Sequence, residues 1–158
     1  MWVDSLDELG IDTTDPVHNL LVDTGALSTN LRSKCKKLSV HVILQELSTA
    51  TPEEMQLLNI SEYNSFIREV FLLGDKIPLI QARVIAPMRS YIQFKDTLDN
   101  LGNKLLGETL LYAQTYSRSQ FQYTKINNEL ARRSVFDLQG YTILVQEIFL
   151  FSSFCNNI

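Results

Sequence analysis

The chain has 158 residues, 45% of them hydrophobic and 20% charged, with a net charge of −4 and an isoelectric point near 5.1. That is the ordinary size of one domain with a real core, and we read residues 1–158 as a single domain that begins with a loose arm over residues 1–14. The acidic balance argues against a nucleic-acid backbone as partner, which needs a basic face to displace counterions, but it allows a pocket that is locally positive.

No run of about 18 apolar residues exists, so no membrane span is expected. Met1-Trp2-Val3-Asp4-Ser5 is acidic and lacks the apolar stretch of a secretory signal. Cys35 and Cys155 lie far apart and form no CxxC pair, and free thiols in a reducing, intracellular compartment are expected. In such a compartment the glycosylation pattern Asn59-Ile60-Ser61 carries no meaning.

In chain order, Asp15-Pro16 reads as an N-cap followed by proline at the first helical position, opening a short helix through Val22. Gly25 breaks it, and a second short helix covers Leu27 to Lys34, followed by a solvated basic turn at Lys34, Lys36 and Lys37. From Leu38 to Leu44 the residues alternate, with Leu38, Val40, Val42 and Leu44 on one side and Ser39 and His41 on the other, the pattern of a half-buried strand. Thr51-Pro52-Glu53-Glu54 starts another helix, with carboxylates in the first turn where the dipole favours them. Phe66 to Leu73 and Ile77 to Ala86 flank Gly74-Asp75-Lys76 as a β-hairpin, and Pro87 ends its second strand. Ser90 to Leu101 carries Tyr91, Phe94, Leu98 and Leu101 at helical spacing, with Gly102 as the left-handed stop. Leu105 to Tyr112 reads as a further short helix. Ser119 to Ile126, Arg132 to Leu138 and Tyr141 to Phe151 read as strands, with Gln139-Gly140 as a tight turn. The expected fold is therefore α+β, a single antiparallel sheet of about six strands with helices packed against it. No βαβ alternation supports a doubly wound parallel sheet.

Two strands carry charges on apolar faces. Arg68 shares a face with Phe66, Val70 and Leu72, and Glu147 shares one with Ile143, Val145 and Phe149. Such a charge is costly unless paired or hydrogen-bonded. One reading is a structural ion pair, with each other or with Glu69 and nearby backbone. The other is a closed polar pocket for a carboxylated ligand, in which the rigid guanidinium fork grips a carboxylate and Glu147 donates or accepts a proton. Arg83 alternates with apolar neighbours and points inward or caps a rim. Of Arg132 and Arg133, which must face opposite ways, at least one is expected at the surface. His18 and His41 have no partner at metal-ligand spacing, so no metal is assigned. P-loop, GxGxxG and GxSxG signatures are missing.

Six segments in order resemble the chorismate lyase family: Asp23-Thr24-Gly25-Ala26-Leu27-Ser28, Phe66-Ile67-Arg68-Glu69-Val70, Ala82-Arg83-Val84-Ile85-Ala86-Pro87, Leu101-Gly102-Asn103-Lys104-Leu105-Leu106-Gly107, Ala131-Arg132-Arg133-Ser134 and Gln146-Glu147-Ile148-Phe149-Leu150. They span roughly residues 16–151 and are closest in style to cyanobacterial and plastid-encoded members. The resemblance implies a buried ligand cavity under helical flaps, with Arg68 on the ring carboxylate and Glu147 near the ring hydroxyl. It also implies Leu27 in the place of a flap methionine and Leu106 as the leucine after the glycine turn, where Lys104-Leu105-Leu106-Gly107 replaces the family's Thr-Pro-Leu-Gly. It implies a cofactor-free lyase that splits chorismate into 4-hydroxybenzoate and pyruvate for quinone biosynthesis, a monomer in the cytoplasm or the plastid stroma. Catalytic roles thus fall to Arg68 and Glu147, and substrate contacts to these two with Leu27 and Leu106. The alternative is a non-catalytic effector-binding domain, because the sensor domains of some bacterial regulators (the UTRA type) share this fold. Against it, the chain shows neither a helix-turn-helix segment nor a basic face.

Overall fold

The computed structural model describes residues 1–25, 27–62 and 64–150. A 3-10 turn at Leu6–Leu9 leads to two short helices, α1 (His18–Val22) and α2 (Leu27–Arg32), and to the long strand β1 (Leu38–Thr49). Helix α3 (Pro52–Leu58) precedes the hairpin of β2 (Asn64–Gly74) and β3 (Ile77–Pro87). Helices α4 (Met88–Gln93) and α5 (Lys95–Asp99) and a 3-10 turn at Leu106–Glu108 follow, then β4 (Ser117–Arg118), β5 (Gln122–Ile126), β6 (Glu129–Leu138) and β7 (Tyr141–Phe149). All pairings are antiparallel, in the order β1-β2-β3-β7-β6-β4, with β5 also against β6.

Local chemistry sets these elements. Thr51 caps α3 by accepting from Glu54 N at 3.2 Å, while Thr51 N donates to Glu54 Oε1 at 2.9 Å, and Pro52 opens the helix. Three hairpins close on two-residue loops with left-handed backbone, at Asp75-Lys76, Asn127-Asn128 and Gln139-Gly140. This is the turn whose twist matches the flanking strands.

The two faces of the sheet differ. On the reverse face, Ile67, Ile85 and Leu144 form an apolar cluster with Ala50 and Leu58 under α3. On the front face, one cluster joins Val70, Leu72 and Phe149 to Leu20, Leu21 and Leu31 of the first helices. A second joins Phe66, Phe136 and Ile143 to Tyr91 and Leu98 of α4 and α5. The charged residues of the front face lie where these two clusters meet.

Several sequence expectations are revised. The sheet expected to have about six strands has seven, because a two-residue strand, β4, precedes the expected Ser119 to Ile126, of which only Gln122–Ile126 is strand, β5; both lie along one edge of β6. Strand β6 begins at Glu129, ahead of the expected Arg132. The single helix expected over Ser90 to Leu101 is broken at Phe94, and Leu105 to Tyr112 holds only the 3-10 turn. A bulge between Val42 and Leu44 moves Leu44 to the reverse face. The first residues are held rather than loose: Val3 bridges Tyr123, and Leu6 and Ile11 are buried. Of the expected free thiols, Cys35 is half-buried and unpaired, whereas Cys155, with Phe151 at the end of the last expected strand, lies outside the described residues.

Candidate active site

The front face holds a cavity of about 140 Å³. An engineered void of similar size, about 150 Å³, takes one benzene ring. Its floor is the middle of β2, β3 and β7. Ala82 is the cross-strand neighbour of both Val70 and Glu147, and its single methyl leaves the floor open there. Two segments roof it: Thr24 to Ser28 at the start of α2, and Lys104 to Gly107 around the 3-10 turn. Arg68, Glu147, Leu27 and Leu106 all line this one cavity.

Arg68 is 3% exposed and meets no carboxylate among the described residues. Its Nη1 donates to Gln45 Oε1 at 2.6 Å, and its Nη2 donates to the carbonyls of Gly102 at 2.7 Å and Lys104 at 3.2 Å. Two backbone features make this possible. The bulge in β1 sets Gln45 opposite Arg68 in the register. Gly102 adopts φ +53, a left-handed conformation that costs glycine little. Burial pushes the Arg68 guanidinium below its ordinary range.

Glu147 stands at the other end. Strands β2 and β7 are two strand spacings apart, and Arg68 and Glu147 are offset by two residues along the strands, which separates their Cα atoms by about 12 Å. The two are therefore not each other's partner. Arg132, the cross-strand neighbour of Glu147, donates from Nε to Glu147 Oε1 at 3.0 Å. Arg132 Nη1 also donates to the carbonyls of Leu20, Leu21 and Asp23. The Asp23 side chain in turn accepts from Gly25 N at 2.8 Å and from Asn30, so the cavity floor is tied to the entry of α2. The Gly25 hydrogen bond, outweighing burial, holds the Asp23 carboxyl below its ordinary range.

Sequence reasoning placed at least one of Arg132 and Arg133 at the surface. Both are buried, at 1% and 6% exposure, because each face of β6 supplies an acid: Glu147 for Arg132, and Glu53, at 3.1 Å, for Arg133. Arg83 points to the reverse face and is clamped by Glu54 and Glu69 at 2.8 and 2.6 Å, outside the cavity. Arg118 had no sequence signal, since it lies in the polar stretch Ser117-Arg118-Ser119-Gln120. It lines the cavity with Nη2 at 3.9 Å from Glu147 Oε1. The roof segments are joined at the surface, where Arg32 of α2 donates to both carboxylate oxygens of Glu108 at 2.9 and 3.1 Å.

Three guanidiniums and one carboxylate thus line the cavity, within a wall that is mostly apolar but includes Tyr116, Phe136, Thr24, Ser28 and, in the roof, Lys104. Such a site takes a small, ring-shaped, anionic ligand.

The family model described as Chorismate lyase matches residues 2–157. A protein named "Probable chorismate pyruvate-lyase" from Marinobacter nauticus is 31% identical over 160 residues, covering 94% of this chain and 85% of that protein. Its namesakes from Aromatoleum aromaticum and Pseudoalteromonas atlantica are 31% and 32% identical, covering 82% and 85% of this chain and 82% and 79% of their own. Among solved structures, the C-terminal domain of a histidine utilization repressor from Pseudomonas syringae superposes with a TM-score of 0.55 at 11% identity, covering 74% of this chain and 94% of that one. A GntR-family transcriptional regulator from Enterococcus faecalis superposes with a TM-score of 0.54 at 15% identity, covering 73% and 95%. These two likenesses concern the fold alone.

Proposed function

The chain belongs to the chorismate lyase family, and from that premise we propose that it splits chorismate into 4-hydroxybenzoate and pyruvate inside the front-face cavity. The observation that carries this reading is the surplus of guanidinium over carboxylate around a ring-sized space in an acidic chain. Chorismate is a six-membered ring bearing two carboxylates.

In this reading Arg68 holds the ring carboxylate. Its terminal nitrogens are already fixed by Gln45 and two carbonyls, so the guanidinium is oriented before substrate arrives, and Nε makes no hydrogen bond among the described residues. Glu147 faces the hydroxyl-bearing carbon at the other end. Arg132 occupies its Oε1, which leaves Oε2 to accept from the ring hydroxyl and to receive the hydrogen on the same carbon. That C–H bond breaks, its electron pair becomes a ring double bond, and the neighbouring C–O ether bond breaks with its pair on the departing enolpyruvate oxygen. A proton delivered to the enolpyruvate methylene then gives pyruvate. The ring becomes aromatic, so the step is downhill without redox chemistry. Leu27 and Leu106 close over the ring and exclude water.

We further propose that the chain sides in style with the cyanobacterial and plastid-encoded members and supplies a quinone precursor, in a cytoplasm or a plastid stroma. The test is to incubate the purified chain with chorismate and follow 4-hydroxybenzoate by absorbance and pyruvate by lactate dehydrogenase. Equimolar appearance of both is expected. Binding without turnover would favour an effector-binding domain instead.

A further inference from the structure

Arg118 has no assigned task in the reading above, yet it is the least satisfied guanidinium of the cavity among the described residues. Its Nε donates to Ser134 Oγ at 2.7 Å, which fixes the plane of the guanidinium. The rings of Phe121 and Phe136 flank it, with centroids at 4.3 and 4.5 Å. Neither terminal nitrogen donates a hydrogen bond among the described residues, and the nearest carboxylate oxygen, on Glu147, is 3.9 Å away and already taken by Arg132. Arg132 cannot fill the same role, because its Nε and Nη1 are spent on Glu147 and three carbonyls.

We infer that Arg118 is the anchor for the second carboxylate of the substrate, the one on the enolpyruvyl side chain, and that it holds this group as the ether bond breaks. The inference rests on the lyase reading of the same cavity. Its geometry fits. Strand β4, which carries Arg118, is four strand spacings from β2, about 19 Å along a flat sheet, so the guanidiniums of Arg68 and Arg118 address the cavity from opposite ends. A fixed fork with two free donors takes a carboxylate bidentately. The leaving enolate develops its charge one carbon away from that carboxylate, where a desolvated cation stabilises it most. Burial pushes the Arg118 guanidinium down to about 10, the mark of a cation short of counter-charge, and an arriving anion would reverse this.

The experiment compares the full chain with Arg118→Lys and Arg118→Gln, using chorismate and chorismate esterified only at the side-chain carboxylate, with 4-hydroxybenzoate affinity measured alongside. The parent is expected to lose at least about tenfold in kcat/KM on the ester, the loss expected for one charge-assisted hydrogen bond. Arg118→Gln should lose a similar factor on chorismate and show little further loss on the ester, with lysine intermediate. Affinity for 4-hydroxybenzoate, which lacks the second carboxylate, should stay within about twofold. Equal turnover of ester and chorismate by the parent overturns the assignment. So does a parallel loss of 4-hydroxybenzoate affinity in both variants, which would make Arg118 a packing residue. Should the glutamine variant not fold, the lysine variant on the two substrates decides alone. A parent that leaves chorismate intact defeats the lyase reading itself, which is a different outcome.

Discussion

Replacing Arg68 with methionine separates its role in the ligand site from its role in the fold. Methionine is unbranched, shorter and uncharged, so the change removes a guanidinium that is 3% exposed and meets no carboxylate among the described residues. On the stability side two terms oppose. Three acceptors, Gln45 Oε1 and the carbonyls of Gly102 and Lys104, lose a charged donor, at roughly 1.5–3 kcal/mol for each such bond. Against this, desolvating an uncompensated ion costs several kcal/mol, which the variant recovers. The terms nearly cancel, and we expect a net change within about 2 kcal/mol in either direction. On the binding side nothing cancels. One charge-assisted bond to the ring carboxylate sets a floor of about tenfold, and two give about a hundredfold. Calorimetric titration with 4-hydroxybenzoate and a thermal melt should therefore show a large loss of affinity beside a small shift in melting temperature. Arg68→Lys should recover only part of the affinity, because an ammonium lacks the fork. If the methionine variant keeps 4-hydroxybenzoate affinity within twofold of the parent, Arg68 is not the carboxylate anchor.

Glu147→Gln should lower turnover about 10²–10⁴-fold, the usual range for general acid–base help, with product affinity changing much less. It also leaves Arg132 buried without its acid, a loss of about 3–5 kcal/mol, so rates must be compared where both proteins are folded. Arg32→Ala unlatches the roof. The Arg32–Glu108 pair is exposed and contributes about 0.2–1 kcal/mol, so product should leave up to about fivefold faster in stopped flow, and added salt should reproduce part of the effect in the parent. An unchanged release rate would mean that the roof opens elsewhere. Burial alone would raise the Glu54 carboxyl, but hydrogen bonds from Arg83 and Thr51 outweigh it and hold the group below 4.5. A lowered carboxyl contributes stability above its unfolded value and loses it as pH falls through the folded one. Glu54→Gln should therefore be less stable than the parent near neutrality, and in urea melts the difference should shrink as pH falls through the folded value of the carboxyl. A constant difference across that range would count against this ion pair.

The parts of the fold that local rules govern were legible in the sequence. The cap at Thr51, the hairpin loops at Asp75-Lys76 and Gln139-Gly140, and the shared faces of Arg68 and Glu147 follow from residue type and a period of two. What local rules miss depends on register between strands. Nothing in Val42-Ile43-Leu44 marks a bulge, yet that extra residue sends Leu44 to the reverse face and sets Gln45 beside Arg68. Arg132 and Arg133 looked like a pair with one exposed member, because the acids that bury them, Glu147 and Glu53, are distant in sequence. Arg118 has no apolar alternation around it. Its burial arises from the rings of Phe121 and Phe136, which only the folding back of β4 onto β6 brings near.

The charges around the cavity bear on the order of events as well as on affinity. Three guanidiniums against one carboxylate leave an excess of two positive charges around the cavity, with the exposed Lys104 of the roof beside them, and a dianionic ring compound offsets the guanidinium excess. Cleavage divides that compensation between two monoanions at opposite ends of the cavity. The end near Arg118 is the more open, since Arg118 is half-buried whereas Arg68 is buried. Pyruvate, held at the open end, should leave first. The aromatic product, gripped by Arg68 under the latched roof, should leave last, which makes its departure rather than bond breaking the slow step. Arg68 and Arg118 would then act at different moments, one setting how long the product stays and the other how well the intact substrate is recognised.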